Sequence, residues 1–498
     1  MNGARISSVV IAGGGTAGWM AAAALSRFTG PGVQITLVES DVIGTVGVGE
    51  ATIPQIQLFN AGLGIDERDF LKATQGTIKL GIEFAGWTRP GEAYMHAFGG
   101  VGRAAGIVPF HHFWLRARTE GLSDAPFGAY APNEIAARAG RFGRSRAPGA
   151  APDLVAAYHF DAGLYAAFLR RFAERRRVVR IEGRIAGVER KADGDVAALR
   201  LDDDRRIDGD LFIDCTGFRS LLVGEALGET FVDWSNYLPC DRAMAVPCAR
   251  NSPVRPYTTS TARSVGWQWR IPLQHRTGNG QVYCSSFISD DKVAATLLAN
   301  LDGEADGDPR PLRFRAGHRS KFWSHNCVAL GLSAGFLEPL ESTSIHLIQS
   351  GIARLLTLFP RRGHDTDTLR DDFNRQSAFE WERIRDFIVL HYKANGRIGE
   401  PFWDAMRAAE IPDTLATKLA TFERTGRIIR ENEELFTEQG WSQVMIGQGV
   451  EARDWHPLAD EMSAKELGAS LATMRDDLSA SVANIPNHDS FLSSYLAA

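Results

Sequence analysis

The chain has 498 residues, 44% of them hydrophobic, and a formal net charge of -5. That length supplies a large core and room for one to three domains, and the mildly acidic balance excludes nucleic acid as the main partner, which calls for a basic domain. No stretch reaches the ~18 uninterrupted apolar residues of a membrane span, and no signal-peptide apolar region precedes the first strand, so the expectation is a soluble cytoplasmic protein with no membrane partner. The 5 cysteines are odd in number and form no Cys-x-x-Cys pair, which reads as reduced core residues rather than a disulfide framework or zinc site.

In chain order, residues 6–12 read as a buried strand, 16–28 as an Ala-rich helix and 33–38 as a second strand ending at Glu39, a βαβ unit. Residues 76–84 read as a strand carrying Lys79 among apolar neighbours. Residues 137–153, rich in Gly, Ala, Arg and Pro, lack periodicity and read as an exposed loop. Residues 164–176 read as a helix, and the arginines from Arg170 to Arg180 as a solvated face. A hairpin is expected over 184–201 and a short buried strand over 211–214. Trp267 and Trp269 alternate with Gln268 and Arg270, the strand period, so both indoles face one side. Apolar residues at Ile345, Ile348, Ile352 and Leu355 set a helix starting near Ser344, with Ser342 or Thr343 as its N-cap. Beyond about residue 366 the pattern is mainly helical and more charged.

Gly13-x-Gly15-x-x-Gly18 follows a strand and opens a helix. Glycine there serves the tight turn, close approach of a pyrophosphate and helix-on-strand packing, and the helix N-terminus offers free N–H groups to phosphate. Glu39 stands where a carboxylate binds a ribose hydroxyl. This pattern alone does not separate FAD from NAD; two further strand-and-turn segments, 212–218 and 328–335, favour FAD. Three glycines within 44–54 read as a flexible strap. The helix start at Thr343 and Ser344 is an anion site by its free N–H groups and its dipole. Burial of Glu341 beside it would favour a proton-carrying acid, a general acid or base. His96, His111 and His112 have no carboxylates at ligand spacing, so no metal is expected, and stacking on an aromatic ligand is preferred.

The opening Gly13 to Gly18 motif, Lys79, the stretch Gly266-Trp267-Gln268-Trp269-Arg270-Ile271-Pro272 and the run Gly335-Phe336-Leu337-Glu338-Pro339-Leu340-Glu341-Ser342-Thr343 together resemble the flavin-dependent halogenases, and within them the tryptophan-halogenase-like branch. The resemblance runs from about residue 6 to about residue 460. It implies an α/β, FAD-dependent monooxygenase-like fold: a Rossmann-type βαβ FAD-binding and halide-activating module over 1–375, with a mainly helical substrate-covering module over 376–498 packed on it as one compact unit. It places FAD on Gly13, Gly15, Thr16, Ala17, Gly18, Glu39, Gly49, Ala51 and Leu332. An apolar residue such as Leu332, where hydroxylases carry Asp, fits the tryptophan-type branch. Residues 44–54 match the family's mobile loop beside the flavin.

By the same resemblance, chloride or bromide sits on the backbone N–H groups of Thr343 and Ser344, the latter replacing the family's usual Gly. Lys79 receives hypohalous acid, by hydrogen bond or as a haloamine. Glu341 is the acid or base present in the indole-type branch and absent from pyrrole and phenol halogenases. Trp267 and Trp269 line a tunnel and keep the organic substrate from the flavin, and His111 and Phe113 sandwich an indole. The Tyr-Tyr pair that, with an acid, holds the charged groups of free tryptophan is absent from 435–449, a short and Gly-rich stretch, so a different indole is the expected substrate. FADH2 is expected from a separate flavin reductase, and the chain to be a monomer or homodimer. The alternatives are an FAD-dependent aromatic hydroxylase and a non-catalytic flavin-binding protein.

Overall fold

Strand Ser8–Ala12, helix Thr16–Phe28 and strand Gln34–Glu39 form the expected βαβ unit in the computed structural model, which describes residues 4–42, 49–144, 153–362 and 366–497. The residues group into two compact units.

The first comprises Met1–Gly76, Phe160–Ser235 and Phe314–Glu382. Its main sheet has six strands in the order Trp323–Ser324, Cys327–Ala329, Leu211–Asp214, Ser8–Ala12, Gln34–Glu39, Val179–Glu182. All neighbours pair in parallel except the first two. Val9, Val10, Ile11 and Ala12 are buried, as a parallel strand covered on both faces requires. Helix Thr16–Phe28 covers one face and packs on helices Ala162–Glu174 and Ser344–Thr357. Its run Ala21 to Ala24 is buried, and such small side chains let neighbours approach closely. The expected hairpin is present as Ile185–Arg190 against Val196–Leu201, with a third strand, Arg206–Asp208.

The second unit comprises Thr77–His159, Asn236–Arg313 and Arg383–Ala498. Seven strands of its sheet run in the order Arg310–Arg313, Arg242–Ala245, Arg276–Tyr283, Trp267–Pro272, Thr258–Ala262, Gly81–Ala85, Ala93–Ala97. The single strand expected over 76–84 is two. Thr77–Lys79 pairs antiparallel with residues 157–159, while Gly81–Ala85 joins the large sheet. The chain changes sheets at Leu80, whose N–H donates to the Pro256 carbonyl and whose carbonyl accepts from Phe98 N–H. Gly81 permits the change, because a Cβ there would lie 2.7 Å from the His96 carbonyl oxygen.

Helices Pro401–Ala408, Asp413–Thr425, Glu438–Gly447, Ala464–Ala483 and His488–Ala497 bear out the helical reading of the C-terminal part. The loop expected over 137–153 needs correction at its start. Helix Pro132–Arg138 runs into it, and Phe142 is buried edge-on against Phe491 with its N–H bonded to the Pro486 carbonyl; residues 145–152 lie outside the described residues. All five cysteines are free. No helix among the described residues is long and apolar enough to cross a membrane.

Candidate functional site

In the first unit, the adjacent strands Ser8–Ala12, Leu211–Asp214 and Cys327–Ala329 end side by side, so three turns meet at their carboxyl ends, where ligands of open α/β sheets bind. The glycines divide the work. Gly13 has φ +104°, and a Cβ on it would lie 2.2 Å from the Cys215 carbonyl oxygen; one on Gly18 would lie 1.9 Å from the Gly13 oxygen. A Cβ on Gly15 would meet nothing within 4 Å. Gly15 is the N-cap of helix Thr16–Phe28 and no side chain caps it, so the first-turn N–H groups beyond it face open space. The third turn, Gly331–Ser333, lies against the same helix: Gly331 has φ +62°, and its Cβ would stand 2.8 Å from that of Ala17. Ser333 Oγ donates to the Gly217 carbonyl, and Leu332 is 37% exposed. An uncapped helix start, an open space at one glycine and an apolar side chain beside it fit a dinucleotide such as FAD.

Glu39 is already engaged. Arg180 Nε lies 2.5 Å from Oε1, Trp19 Nε1 donates to Oε2 at 3.3 Å, and Arg170 stands 3.7 Å away. Two arginines of the run read as a solvated face, Arg170 and Arg180, therefore serve a half-buried carboxylate, a correction to that reading. A carboxylate has about four acceptor positions, which leaves capacity for a ribose hydroxyl. Gly14, outside the Gly-x-Gly-x-x-Gly frame, is fixed by this arrangement, since a Cβ there would fall 1.5 Å from Glu39 Oε2. Gly49 and Ala51 lie on strand Gly49–Ala51 and are buried. Between them Glu50, which the sequence did not single out, is raised by burial to about 7. Residues 44–48 of the expected strap lie outside the described residues.

Gly15→Ala is expected to fold normally, since its φ of -70° and ψ of -174° suit alanine, yet to weaken FAD binding by about tenfold or more, a loss of ~1.4 kcal/mol. Gly14→Ala is expected to lower the melting temperature by displacing Glu39. Flavin titration with thermal melts of both variants checks the contrast.

The residues expected to form an anion site lie in the same unit. Glu341 closes the short turn Pro339–Glu341, Ser342 follows at φ +59°, ψ +35°, and Thr343 at φ -90°, ψ -9° precedes helix Ser344–Thr357. A left-handed residue followed by a right-handed one turns successive N–H groups inward, the nest geometry that holds anions. The left-handed conformation costs a non-glycine residue roughly 1–2 kcal/mol. The expected side-chain cap is absent: Thr343 is the N-cap, but its buried hydroxyl has no partner among the described residues. A right-handed Thr343 does not direct its oxygen at the next turn as an extended N-cap does. Glu341 is buried. One turn on, His346 Nε2 meets Glu380 Oε1 at 2.9 Å, while Ser350 and Arg354 hold Oε2. These bonds hold Glu380 below its ordinary value despite burial and tie the helix start to helix Asp367–Lys393.

In the second unit Lys79 is fully buried, with its ammonium 5.3 Å from the centre of the Phe98 ring, a cation–π contact. Trp267 and Trp269 stand on one face of their strand with ring centroids 6.1 Å apart, as the alternation requires. Trp269 lies over Gly280, where a Cβ would be 2.1 Å from its ring; its Nε1 is buried without a partner among the described residues. His111 and Phe113 lie on helix Phe110–Thr119, about 200° apart around its axis. His111 Nε2 meets the Gly426 carbonyl at 2.9 Å, and Phe113 joins the aromatic cluster of Phe110, Trp114 and Phe127. Burial lowers His111 to about 4, and burial, with His111, His456 and Arg427 opposing a further positive charge, lowers His112 to about 3. The fold brings a carboxylate that spacing could not show: Glu438 lies with its ligand atom within 4.8 Å of those of His111 and His112. His112 Nδ1 accepts from His456 N–H, so its neutral ring carries a proton on Nε2, and the group presents two ready donors rather than three.

A family model described as tryptophan halogenase matches residues 8–464. The chain is 36% identical over 443 residues to the tryptophan 6-halogenase ThaL of Streptomyces albogriseolus, covering 84% of this chain and 82% of that one. It is similar in structure to Xcc4156, a flavin-dependent halogenase from Xanthomonas campestris, at 49% identity and TM-score 0.95, over 99% of this chain and 98% of that one. It is likewise similar to BrvH, a flavin-dependent halogenase from Brevundimonas sp. BAL3, at 46% identity and TM-score 0.94 over 99% of each.

Proposed function

The chain belongs to the tryptophan halogenase family and is a flavin-dependent halogenase, and from that premise we propose that it halogenates an indole-type arene other than free tryptophan, using chloride or bromide and FADH2 delivered by a separate flavin reductase in the cytoplasm. Lys79 and Glu341 are its catalytic residues. The observation that carries the reading is the fully buried Lys79. Withdrawing an ammonium from water costs several kcal/mol, a cost retained where the charge acts on a reactant.

Bound FADH2 with O2 supplies the two-electron oxidation that brings halide to the hypohalous level. Gly13, Gly15, Thr16, Ala17, Gly18, Glu39, Gly49, Ala51 and Leu332 hold the flavin. The inward N–H groups of Thr343 and Ser344 hold the halide. The Lys79 ammonium donates a hydrogen bond to the oxygen of hypohalous acid. The arene carbon then attacks the halogen, the oxygen–halogen bond breaks, and the leaving hydroxide takes the ammonium proton and departs as water. Glu341 accepts the proton lost from the ring carbon, and proton exchange with water restores both groups. Trp267 and Trp269 are gating residues. His111 is assigned to the indole, with Phe113 in the aromatic cluster on the other side of the same helix, and the helical part over 376–498 covers the substrate.

Residues 435–449 support an indole without amino-acid groups. Glu438, the acid within them, stands beside His111 and His112, and Glu434, just before them, already accepts from Lys418, Trp441 Nε1 and Glu431 N–H. Phe436 is stacked on Phe387 at 3.7 Å. The stretch holds no cation, so the carboxylate of an amino acid would lose water there without a charge partner. The test is mass spectrometry of an indole panel, with L-tryptophan included, in NaBr with FAD, NADH and a flavin reductase. The expected result is bromination of indole, mainly at C3, with higher kcat/KM than for L-tryptophan; hydroxylated products in place of brominated ones would overturn the reading.

Ser344→Gly is expected to change the ratio of bromination to chlorination, since the variant removes a side chain next to the amides assigned to halide. Competition between equimolar bromide and chloride, read from product isotope patterns, checks this; an unchanged ratio places the side chain away from the ion.

A further inference from the structure

We infer that His159 is a positioning residue for Lys79, holding the strand that carries it through a one-directional chain of hydrogen bonds to the strand that carries Trp267 and Trp269. The inference rests on the assignment of halogen delivery to Lys79.

The register of the two short strands sets the neighbours. Thr77 lies opposite His159 and Lys79 opposite Ala157. Side chains two apart share a face, so Thr77, Lys79 and His159 stand together, with His159 diagonal to Lys79 across the pair, within reach of a long side chain. The methyl of Ala157 leaves the space directly opposite Lys79 to the lysine.

The polarity of the chain follows from its end. The Pro272 carbonyl can only accept, so the Thr77 hydroxyl, 2.6 Å away, donates to it. With its one proton committed, the Thr77 oxygen accepts from His159 Nδ1 at 2.9 Å. Nδ1 therefore carries the proton of the neutral ring. Nε2 is then the lone-pair nitrogen, and it accepts from the Thr258 hydroxyl at 2.9 Å. One imidazole thus fixes the order Thr258, His159, Thr77, Pro272 and ties strands Thr258–Ala262, Ala157–Asp161, Thr77–Lys79 and Trp267–Pro272 at one point. His159 and Thr77 are buried, so water does not compete for these bonds.

A second imidazole braces the other side of the same strand. His488 Nε2 accepts from Ile78 N–H, which makes Nδ1 the donor to the Val254 carbonyl. Burial and the charge of Lys79 hold His159 well below its ordinary value, and burial lowers His488 to about 4. The lysine thus has two neutral rings beside it and no second cation from either.

The test compares His159→Phe, Thr77→Val and His159→Asn with wild type and Lys79→Ala. Two quantities are read at matched flavin loading: halogenated product per flavin oxidised, and free hypohalous acid caught by a scavenger in bulk solution. Misplacing a reacting group by about an ångström costs up to ~10²-fold. His159→Phe and Thr77→Val are expected to lower product per flavin by about tenfold to a hundredfold, with the missing equivalents appearing as free hypohalous acid and the rate of flavin oxidation within about twofold of wild type. Asn places an N–H near the position of Nδ1, so His159→Asn is expected to restore most of the coupling. A merely structural defect would lower flavin oxidation and product together and leave their ratio unchanged.

Wild-type protein without flavin supplies a measurement that needs no variant to fold. Nitrogen-15 histidine spectra at neutral pH are expected to show His159 as the neutral Nδ1–H form, and an Nε2–H or doubly protonated ring overturns the inference. If Lys79→Ala keeps halogenation within a few-fold of wild type, the delivery reading and this inference fall together. If Lys79→Ala is inactive while His159→Phe couples as wild type does, this inference alone falls.

Discussion

Lys79→Ala is expected to abolish halogenation while flavin still binds. The residues that fit the dinucleotide, from Gly13 to Leu332, belong to the first unit, and Lys79 to the second, so the substitution removes no group assigned to the cofactor. What it removes is the one donor assigned to hypohalous acid. A group that delivers or donates in the transition state typically contributes ~10² to 10⁴ in rate, so product formation should fall by at least about a hundredfold at matched flavin loading. The truncation also opens space beneath Phe98, whose ring the ammonium faces at 5.3 Å. Lys79→Met separates the two effects, because it keeps an unbranched apolar stem and loses only the charge. Both variants should be inactive, and Lys79→Met should keep a single cooperative melt, which shows that the loss is not one of fold. Halogenation within a few-fold of wild type in either variant removes Lys79 from the mechanism.

Local chemistry made much of this molecule legible in its sequence. Helix Thr16–Phe28 follows from a glycine run, an Ala-rich stretch and the strand before it, and strand Leu211–Asp214 from a short apolar block between turn residues. The start of helix Ser344–Thr357 was legible from apolar spacing, yet its capping was not. Cap preferences presume an extended residue at the helix start, whereas here the N-cap Thr343 is right-handed after a left-handed Ser342, and its hydroxyl has no partner among the described residues. The reading of 137–153 as loop was carried by the Gly and Pro of its later half, and it missed Phe142, whose burial depends on Phe491 far along the chain.

Groups assembled across the sequence were not legible at all. His159 sits in an ordinary strand, and its partners Thr77 and Thr258 lie 82 and 99 residues away. Glu438 reaches His111 and His112 only through folding. Gly14 looked incidental beside the motif glycines, and its need for hydrogen in place of a side chain comes from Glu39. Each of these is a contact rather than a pattern, and a periodicity argument sees patterns.

Glu341→Gln tests the other half of the chemistry and is expected to be the more selective lesion. Glu341 is buried between Pro339, at the start of its turn, and the left-handed Ser342, so a large change of side chain would disturb the nest as well as the proton. Glutamine keeps the shape and the carbonyl acceptor and loses only the ability to take a proton. The backbone assigned to halide should therefore remain, and so should the fold, since a neutral amide is less costly to bury than a carboxylate. Attack on the halogen leaves a cationic ring carbon that must shed its proton, and without the base that step should become slow. Turnover is expected to fall by about 10² to 10³-fold, within the range of general base contributions. The signature is in the isotope effect. With substrate deuterated at the reacting carbon, the variant should show a primary effect, because proton loss now limits the rate, while wild type shows a smaller one or none. A melting curve matching wild type establishes that the loss is chemical. Turnover close to wild type, or a loss with no change in isotope effect, would take the proton-accepting role away from Glu341.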